Sequence, residues 1–153
     1  MFLDTWKKLS SKPGGKWIFS KLVGWKAPYT GTIGAVVEEL APGYAIVKLT
    51  EHRSIRNHLN SVHAVALMNV AEMASGLAML AGLKDNIRGI VTKFQIEYLR
   101  KARGVLTARG WCEVPTVMGK TSSESHVEIM NASGEIVARA TATWLLDLPA
   151  THA

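Results

Sequence analysis

The 153-residue sequence predicts an α+β fold in which one antiparallel sheet wraps around a long central helix. An apolar run at 62–83 contains one carboxylate and is long enough for a helix of five turns or more. Segments rich in β-branched residues, several with period-two alternation, lie on both sides of that run. A helix that is apolar on almost every side must be covered all round, and a curved sheet plus a partner subunit would achieve this.

Residues 1–30 are basic and contain three tryptophans, Trp6, Trp17 and Trp25. They predict one or two short helices, with "SSKPGGK" as the break between them. The stretches "TIGAVVEEL" and "YAIVKL" then predict two strands. The intervening "APG" predicts the tight turn of a hairpin.

The pattern after the central helix changes to period two. In "IVTKFQIEYL" the alternation places Ile90, Phe94, Ile96 and Tyr98 on one face of a strand. "GVLTARGWCEV", "TSSESHVEIM" and "EIVARATATWLL" predict three more strands, and "NASG" predicts the turn before the last. The order is helix, two strands, long helix and four strands, which we interpret as a single domain over 1–153.

Composition restricts the class of protein. With 48% hydrophobic and 20% charged residues the chain is globular rather than disordered. A single cysteine, Cys112, excludes an intrachain disulfide and a multi-cysteine metal site. The first residues lack the apolar core of a secretory signal, so we expect a cytoplasmic protein. The net charge of +6 favours an anionic partner, but no nucleic-acid-binding signature is present.

The apolar run at 62–83 is long enough to span a bilayer. Glu72 at its centre would cost about 2.5–3.5 kcal/mol there, and the chain has no second candidate span. We therefore expect a core helix and no membrane span.

The role of Glu72 is the central question of the sequence. Burying an ionised carboxylate without a partner is costly, so Glu72 is exposed, protonated or present for a function. On a helix Asn69, Glu72 and Ser75 share one polar stripe, with Val65 on the same side as Glu72. A polar stripe on a buried helix predicts a pocket or an interface.

The start of the central helix predicts an anion-binding end. Asn60 or Ser61 is the expected N-cap, which would leave the first-turn N–H groups near 63–65 free to bind a negative oxygen. A carboxylate two turns further along suits an attack on a carbonyl group.

The segment "NHLNSVHAVALMNVAE" resembles the active-site segment of hotdog-fold acyl-CoA thioesterases of the phenylacetyl-CoA and 4-hydroxybenzoyl-CoA type. Those enzymes have an Asn, a His-Gly-Gly six residues later, and an Asp or Glu nine residues after the His. Asn57, His63 and Glu72 match these positions with both spacings kept. "IVTKFQIEYLRKARGVLTARG" is similar to the strand pair that follows in the family, and the likeness covers roughly residues 30–147.

The resemblance implies a hotdog fold and hydrolysis of an acyl-CoA thioester, with Glu72 as general base or nucleophile and Asn57 as a positioning group. Backbone N–H groups of Ala64 and Val65, which stand where the family has Gly-Gly, would form the oxyanion hole. The family places the carboxylate and this helix end on different subunits, so a homodimer or homotetramer is implied. No cofactor is implied beyond the coenzyme A of the substrate.

Other residues receive weaker assignments. By resemblance, Arg100, Lys101 and Arg103 lie near the coenzyme A phosphates, although a solvent-exposed charged turn explains them equally well. Asn69 and Ser75 are candidates for lining the acyl pocket, with a place at the dimer seam as the alternative. By resemblance His63 is a candidate catalytic residue, and its structural alternative is a hydrogen bond to the adjacent turn.

Two other functions remain open. A non-catalytic hotdog protein that binds acyl-CoA or a fatty acyl group is favoured by Ala64-Val65 and disfavoured by Glu72. A 3-hydroxyacyl thioester dehydratase is suggested by His58, fourteen residues before Glu72, but the Phe-Pro and Pro-Gly pairs of those enzymes are missing. Cys112 is interpreted as a small buried side chain rather than a nucleophile.

Overall fold

The computed structural model describes residues 2–148 and contains a six-stranded antiparallel sheet and a long helix against one face. It has three short N-terminal helices where one or two were predicted. The helices are α1 (Phe2–Leu9), α2 (Gly15–Lys26), α3 (Pro28–Gly31) and α4 (Ala64–Gly82). The strands are β1 (Val36–Ala41), β2 (Tyr44–Thr50), β3 (Arg88–Tyr98), β4 (Val105–Trp111), β5 (Thr121–Met130) and β6 (Ile136–Asp147). This order confirms the predicted α+β class. The single-domain prediction also included residues 1 and 149–153, which lie outside the described residues.

The sheet has the strand order β1-β2-β4-β5-β6-β3, and every neighbouring pair is antiparallel. The predicted hairpin turn between β1 and β2 is confirmed. Gly43 has a φ of 73° there, and a Cβ on it would lie 2.6 Å from the carbonyl oxygen of Cys112. The turn therefore requires glycine.

Helix α4 packs against β2, β4 and β5 through a face of small side chains. Ala71, Ala74 and Ala78 are fully buried on the helix. On the strand side, a Cβ at Gly110 would lie 2.5 Å from the Ala74 carbonyl oxygen. Small residues on both surfaces thus bring the helix close to the sheet, and the polar side chains of the helix are left to face elsewhere.

The N-terminal helices cover part of α4 and the start of β1. Trp6 and Phe19 meet edge to face with ring centroids 5.1 Å apart, and both are buried. Trp17 and Trp25 are 57% and 79% exposed, so only one of the three early tryptophans packs in the core.

Strand β3 corrects one prediction. Its pairing with β6 shifts between Val91 and Lys93, so Thr92 is an extra residue in a β-bulge. The bulge reverses the alternation, and Ile90 therefore lies on the opposite face from Phe94 and is 62% exposed. The uniform period-two reading, which placed Ile90 with Phe94, was wrong.

Within residues 2–148, α4 is the one helix long and apolar enough to span a membrane, and 72% of its apolar window is buried inside the protein.

Candidate active site

Glu72 lies half-buried on α4 and faces a cavity of about 270 Å³. Burial raises the pKa of the Glu72 carboxyl above its usual 4.5. No ion pair to this carboxylate is found within residues 2–148. Much of the cavity wall is apolar, formed by Phe2, Val23, Met73, Leu77, Leu80 and Trp144. A desolvated carboxylate in apolar surroundings has the raised proton affinity that a general base requires.

A groove of about 480 Å³ adjoins this cavity and shares Thr30 and Met73 with it. Helices α2 and α3 form its walls and meet where Gly24 and Gly31 approach closely. A Cβ on either glycine would lie 2.9 Å from the Cα of the other. Sequence patterns did not reveal this groove, because it arises from the packing of the N-terminal helices on α4.

The start of α4 differs from the predicted cap. His63, rather than Asn60 or Ser61, is the N-cap, and its Nδ1 accepts a hydrogen bond from the Val65 N–H at 3.1 Å. The Val65 N–H is therefore not free in this structure, contrary to the prediction. No acceptor for the Ala64 N–H is found in the described part of the chain. Ala64 is exposed, so its N–H is the available donor at this helix end.

Asn57 organises the loop that leads into α4. Its side-chain oxygen accepts hydrogen bonds from the N–H groups of Leu59 at 2.9 Å and Ser61 at 3.2 Å, and from the Ser61 hydroxyl at 3.1 Å. This Asx-type turn fixes the position of the helix start. Within residues 2–148 the Asn57 amide nitrogen has no hydrogen-bond acceptor.

The structure brings the basic cluster next to this helix start. Arg100, Lys101 and Arg103 are exposed in the segment after β3. The Val62 N–H donates to the Ala102 carbonyl at 2.8 Å, and the Arg103 guanidinium donates to the carbonyl of Leu59 at 3.2 Å. The basic residues and the Ala64 N–H therefore lie on neighbouring segments.

The residues of the polar stripe predicted on α4, Asn69, Glu72 and Ser75, lie in different environments. The Asn69 amide donates to the Tyr29 carbonyl at 3.1 Å, while its side-chain oxygen is buried and has no partner among the described residues. Ser75 is fully buried, and its hydroxyl donates to the Glu72 carbonyl at 2.9 Å. The structure thus places Ser75 in the core rather than on a cavity wall.

Glu72 and the helix start face different cavities within one chain. His63, Val65 and Asn69 line a separate cavity of about 360 Å³. Ala64 and Glu72 are eight positions apart, which corresponds to about 12 Å along a helix. One copy of the chain therefore holds the carboxylate and the Ala64 N–H too far apart to act on one carbonyl group.

Other candidates take no part in this geometry. His58 is exposed in the loop before α4. Burial raises the pKa of the Cys112 thiol to about 11, so it is a poor nucleophile at neutral pH. The described residues contain no cluster of three or more His, Cys, Asp or Glu suited to a metal ion.

A family model described as "Domain of unknown function (DUF4442)" matches residues 15–146, which include helix α2 and the whole sheet except its last residue. The match therefore begins earlier than the resemblance at 30–147. No curated protein matches the chain.

Solved structures share the fold. The structural-genomics protein APC5556 is 29% identical with a TM-score of 0.80, over 97% of this chain and 99% of its own. A hypothetical thioesterase protein from Streptococcus pneumoniae TIGR4, with coenzyme A, is 26% identical with a TM-score of 0.63, over 73% and 84%. PA5026 from Pseudomonas aeruginosa, a protein of unknown function and probable thioesterase, is 22% identical with a TM-score of 0.74, over 84% and 92%. These likenesses confirm the hotdog fold and the resemblance to its thioesterase superfamily.

Proposed function

The chain belongs to the DUF4442 family, and we propose that it is a hotdog-fold thioesterase that hydrolyses an acyl-CoA to a carboxylic acid and free coenzyme A. The observation that carries this proposal is Glu72, a half-buried carboxylate with a raised pKa and no ion-pair partner in residues 2–148, in a cavity with largely apolar walls. The pneumococcal neighbour with coenzyme A supports the choice of substrate class.

The site is completed by a second copy of the chain. The Ala64 N–H and Glu72 are too distant in one copy, whereas a partner could bring its own helix start to the Glu72 cavity. Strand β3 lies at a sheet edge, and β6 is its one neighbouring strand within residues 2–148. Its apolar residues Val91, Phe94 and Ile96 are only half-buried, which favours coverage by another copy. A homodimer, alone or paired into a homotetramer, is the assembly we propose.

In the proposed mechanism Glu72 is the general base and the Ala64 N–H is the oxyanion donor. The Glu72 carboxylate accepts a proton from water, and the water oxygen attacks the thioester carbonyl. The Ala64 N–H of the other copy stabilises the resulting oxyanion. The C–S bond then breaks, and the thiolate receives the proton held by Glu72. Direct attack by Glu72 to form an acyl anhydride is the alternative route.

Substrate binding uses the two ends of the site. The apolar cavity of Glu72 and the adjoining groove accept the acyl group. The exposed basic residues Arg100, Lys101 and Arg103 bind phosphates of coenzyme A. Asn57 positions the attacking water or the carbonyl through its amide nitrogen.

A specific observation favours a second candidate, an acyl-CoA-binding protein without turnover. The Val65 N–H is already bonded to His63, and the Val65 side chain is 47% exposed beside that helix end. One of the two N–H groups expected to form the oxyanion hole is thus occupied.

The test is release of free thiol from a panel of acyl-CoAs of different chain lengths, comparing wild type with Glu72→Gln. Glu124→Gln, an exposed carboxylate on β5, is the matched control. Thiol release that is lost only in Glu72→Gln supports the enzyme. Saturable binding without turnover across the panel would replace it with the binding protein.

A further inference from the structure

Helix α2 has two apolar faces. Phe19 and Val23 form the buried one. Ile18, Leu22 and Trp25 form the other and are 44%, 44% and 79% exposed. Their spacing of four and three residues aligns them in one stripe along the helix. The rest of residues 2–148 leaves much of this stripe exposed, which is unusual for so many large side chains on one short helix.

Lysines flank the stripe on both sides. At about 100° per residue, Lys21 lies roughly 60° to one side of Ile18 and Lys26 roughly 80° to the other. Both are exposed. The Lys21 ammonium lies 5.3 Å from the centre of the Trp17 ring. An apolar stripe with a tryptophan, bordered by lysines, is the arrangement of a helix that lies in a membrane interface.

The net charge is concentrated in the same region. Residues 1–31 contain six lysines and one acidic residue, Asp4, so they carry +5 of the net charge of +6. Lys16 pairs with Glu38 at 3.0 Å, but Lys7, Lys8 and Lys12 are exposed and have no carboxylate partner within the described chain. A partner for this surface must be anionic as well as apolar.

We propose that the exposed stripe of α2, with its flanking lysines, docks on the surface of an anionic lipid bilayer. Ile18, Leu22 and Trp25 enter the boundary between headgroups and acyl chains, and the lysines contact acidic headgroups. A second copy of the chain fits less well, because a two-fold interface would place the same basic surface against itself. Docking would also bring the groove to the bilayer, since Trp17, Lys21 and Trp25 line it.

Vesicle co-sedimentation tests this with full-length protein and two vesicle types, phosphatidylcholine alone and phosphatidylcholine with phosphatidylglycerol. Two double variants remove the apolar and the charged parts, Ile18→Gln/Leu22→Gln and Lys21→Glu/Lys26→Glu. Their controls are Met118→Gln, which is 85% exposed on the β4–β5 loop, and Lys84→Glu/Lys120→Glu, which lowers the net charge equally. Thermal unfolding checks that each variant folds.

We expect wild type and both controls to bind the anionic vesicles and not the neutral ones, with release at about 0.5 M salt. Each α2 variant should bind more than about tenfold more weakly. Absence of vesicle binding, or equal losses in the α2 and control charge variants, would overturn the proposal. So would a lower mass by light scattering in the α2 variants, which would identify the stripe as an interface between copies. Glu72→Gln should still bind vesicles, so this test is independent of the proposed hydrolysis.

Discussion

The Val65 N–H donates a hydrogen bond to Nδ1 of His63, so the histidine expected in the active site caps the helix that carries Glu72. This contact separates two interpretations of His63. A capping residue acts on helix stability, whereas a catalytic residue acts on the reaction.

Replacing His63 with Ala should destabilise the protein by about 0.5–2 kcal/mol, because a helix N-cap is lost. His63→Asn should restore most of that stability, since Asn is a good cap. Urea unfolding measures both. His58→Ala, an exposed histidine in the same loop, should change little. If His63→Asn is as stable as wild type but inactive toward acyl-CoA, the histidine has a role beyond capping.

The rate of hydrolysis should depend on pH through Glu72. The carboxylate must be ionised to accept a proton, and burial raises its pKa above 4.5. Activity should therefore fall on acidification at a higher pH than an exposed glutamate would give. The acid limb of kcat/KM for a soluble acyl-CoA measures this pKa. An inflection at or below 4.5 would contradict a buried catalytic carboxylate.

The raised pKa of Glu72 also predicts how stability depends on pH. As pH rises, stability should fall, whereas activity should rise. A raised folded-state pKa means that the folded protein binds the Glu72 proton more tightly than the unfolded chain does, so stability falls as pH rises from 4.5 through the folded pKa. Glu72→Gln should thus unfold at a higher temperature than wild type at pH 7, and this gain should vanish below pH 4.5. Thermal melts at the two pH values, with Glu124→Gln as control, test it.

The core next to the cavity holds one buried polar pair. The Trp144 indole N–H donates to the Ser125 hydroxyl at 2.9 Å, and both residues are buried. Ser125→Ala should cost about 1–3 kcal/mol, because the indole N–H is left unsatisfied. Ser122→Ala, exposed on the same strand, is the control. Equal free energies of unfolding for the two variants would show that water replaces the lost partner.

Charge reversal at Arg100 and Lys101 should raise the KM for acyl-CoA with little effect on a short pantetheine thioester, which lacks the phosphates. Arg103 is left intact because it holds the Leu59 carbonyl. The effect should weaken as salt rises. Equal changes in KM for both substrates would show that these residues form only an exposed charged turn.

Sequence patterns predicted the central helix and all six strands, because burial against one core dictates both the helical run and the strand alternation. They failed where tertiary contacts decide. The bulge at Thr92 reversed the face of Ile90, since alternation alone cannot reveal an inserted residue. Asn60 and Ser61 are good caps by residue type, yet the Asx turn of Asn57 engages Ser61 and moves the helix start to His63. Sequence spacing matched Asn57, His63 and Glu72 to a family pattern. It could not predict the distances between them in the fold.

The most direct test of a site shared between two copies removes one backbone N–H donor. Ala64→Pro deletes the Ala64 N–H. Proline is well tolerated at the first helical position, and His63 already has the extended ψ of 141° that a following proline favours. This variant should lose about 10²–10³-fold in kcat while remaining folded.

Ala64→Pro and Glu72→Gln can then be mixed, after each is shown to be inactive alone, and allowed to exchange subunits. A heterodimer of the two would contain one intact site and one doubly defective site. Random exchange should restore about one quarter of wild-type thiol release. Recovery of that activity is the result the account predicts, and a mixture that stays as inactive as its parents would contradict it.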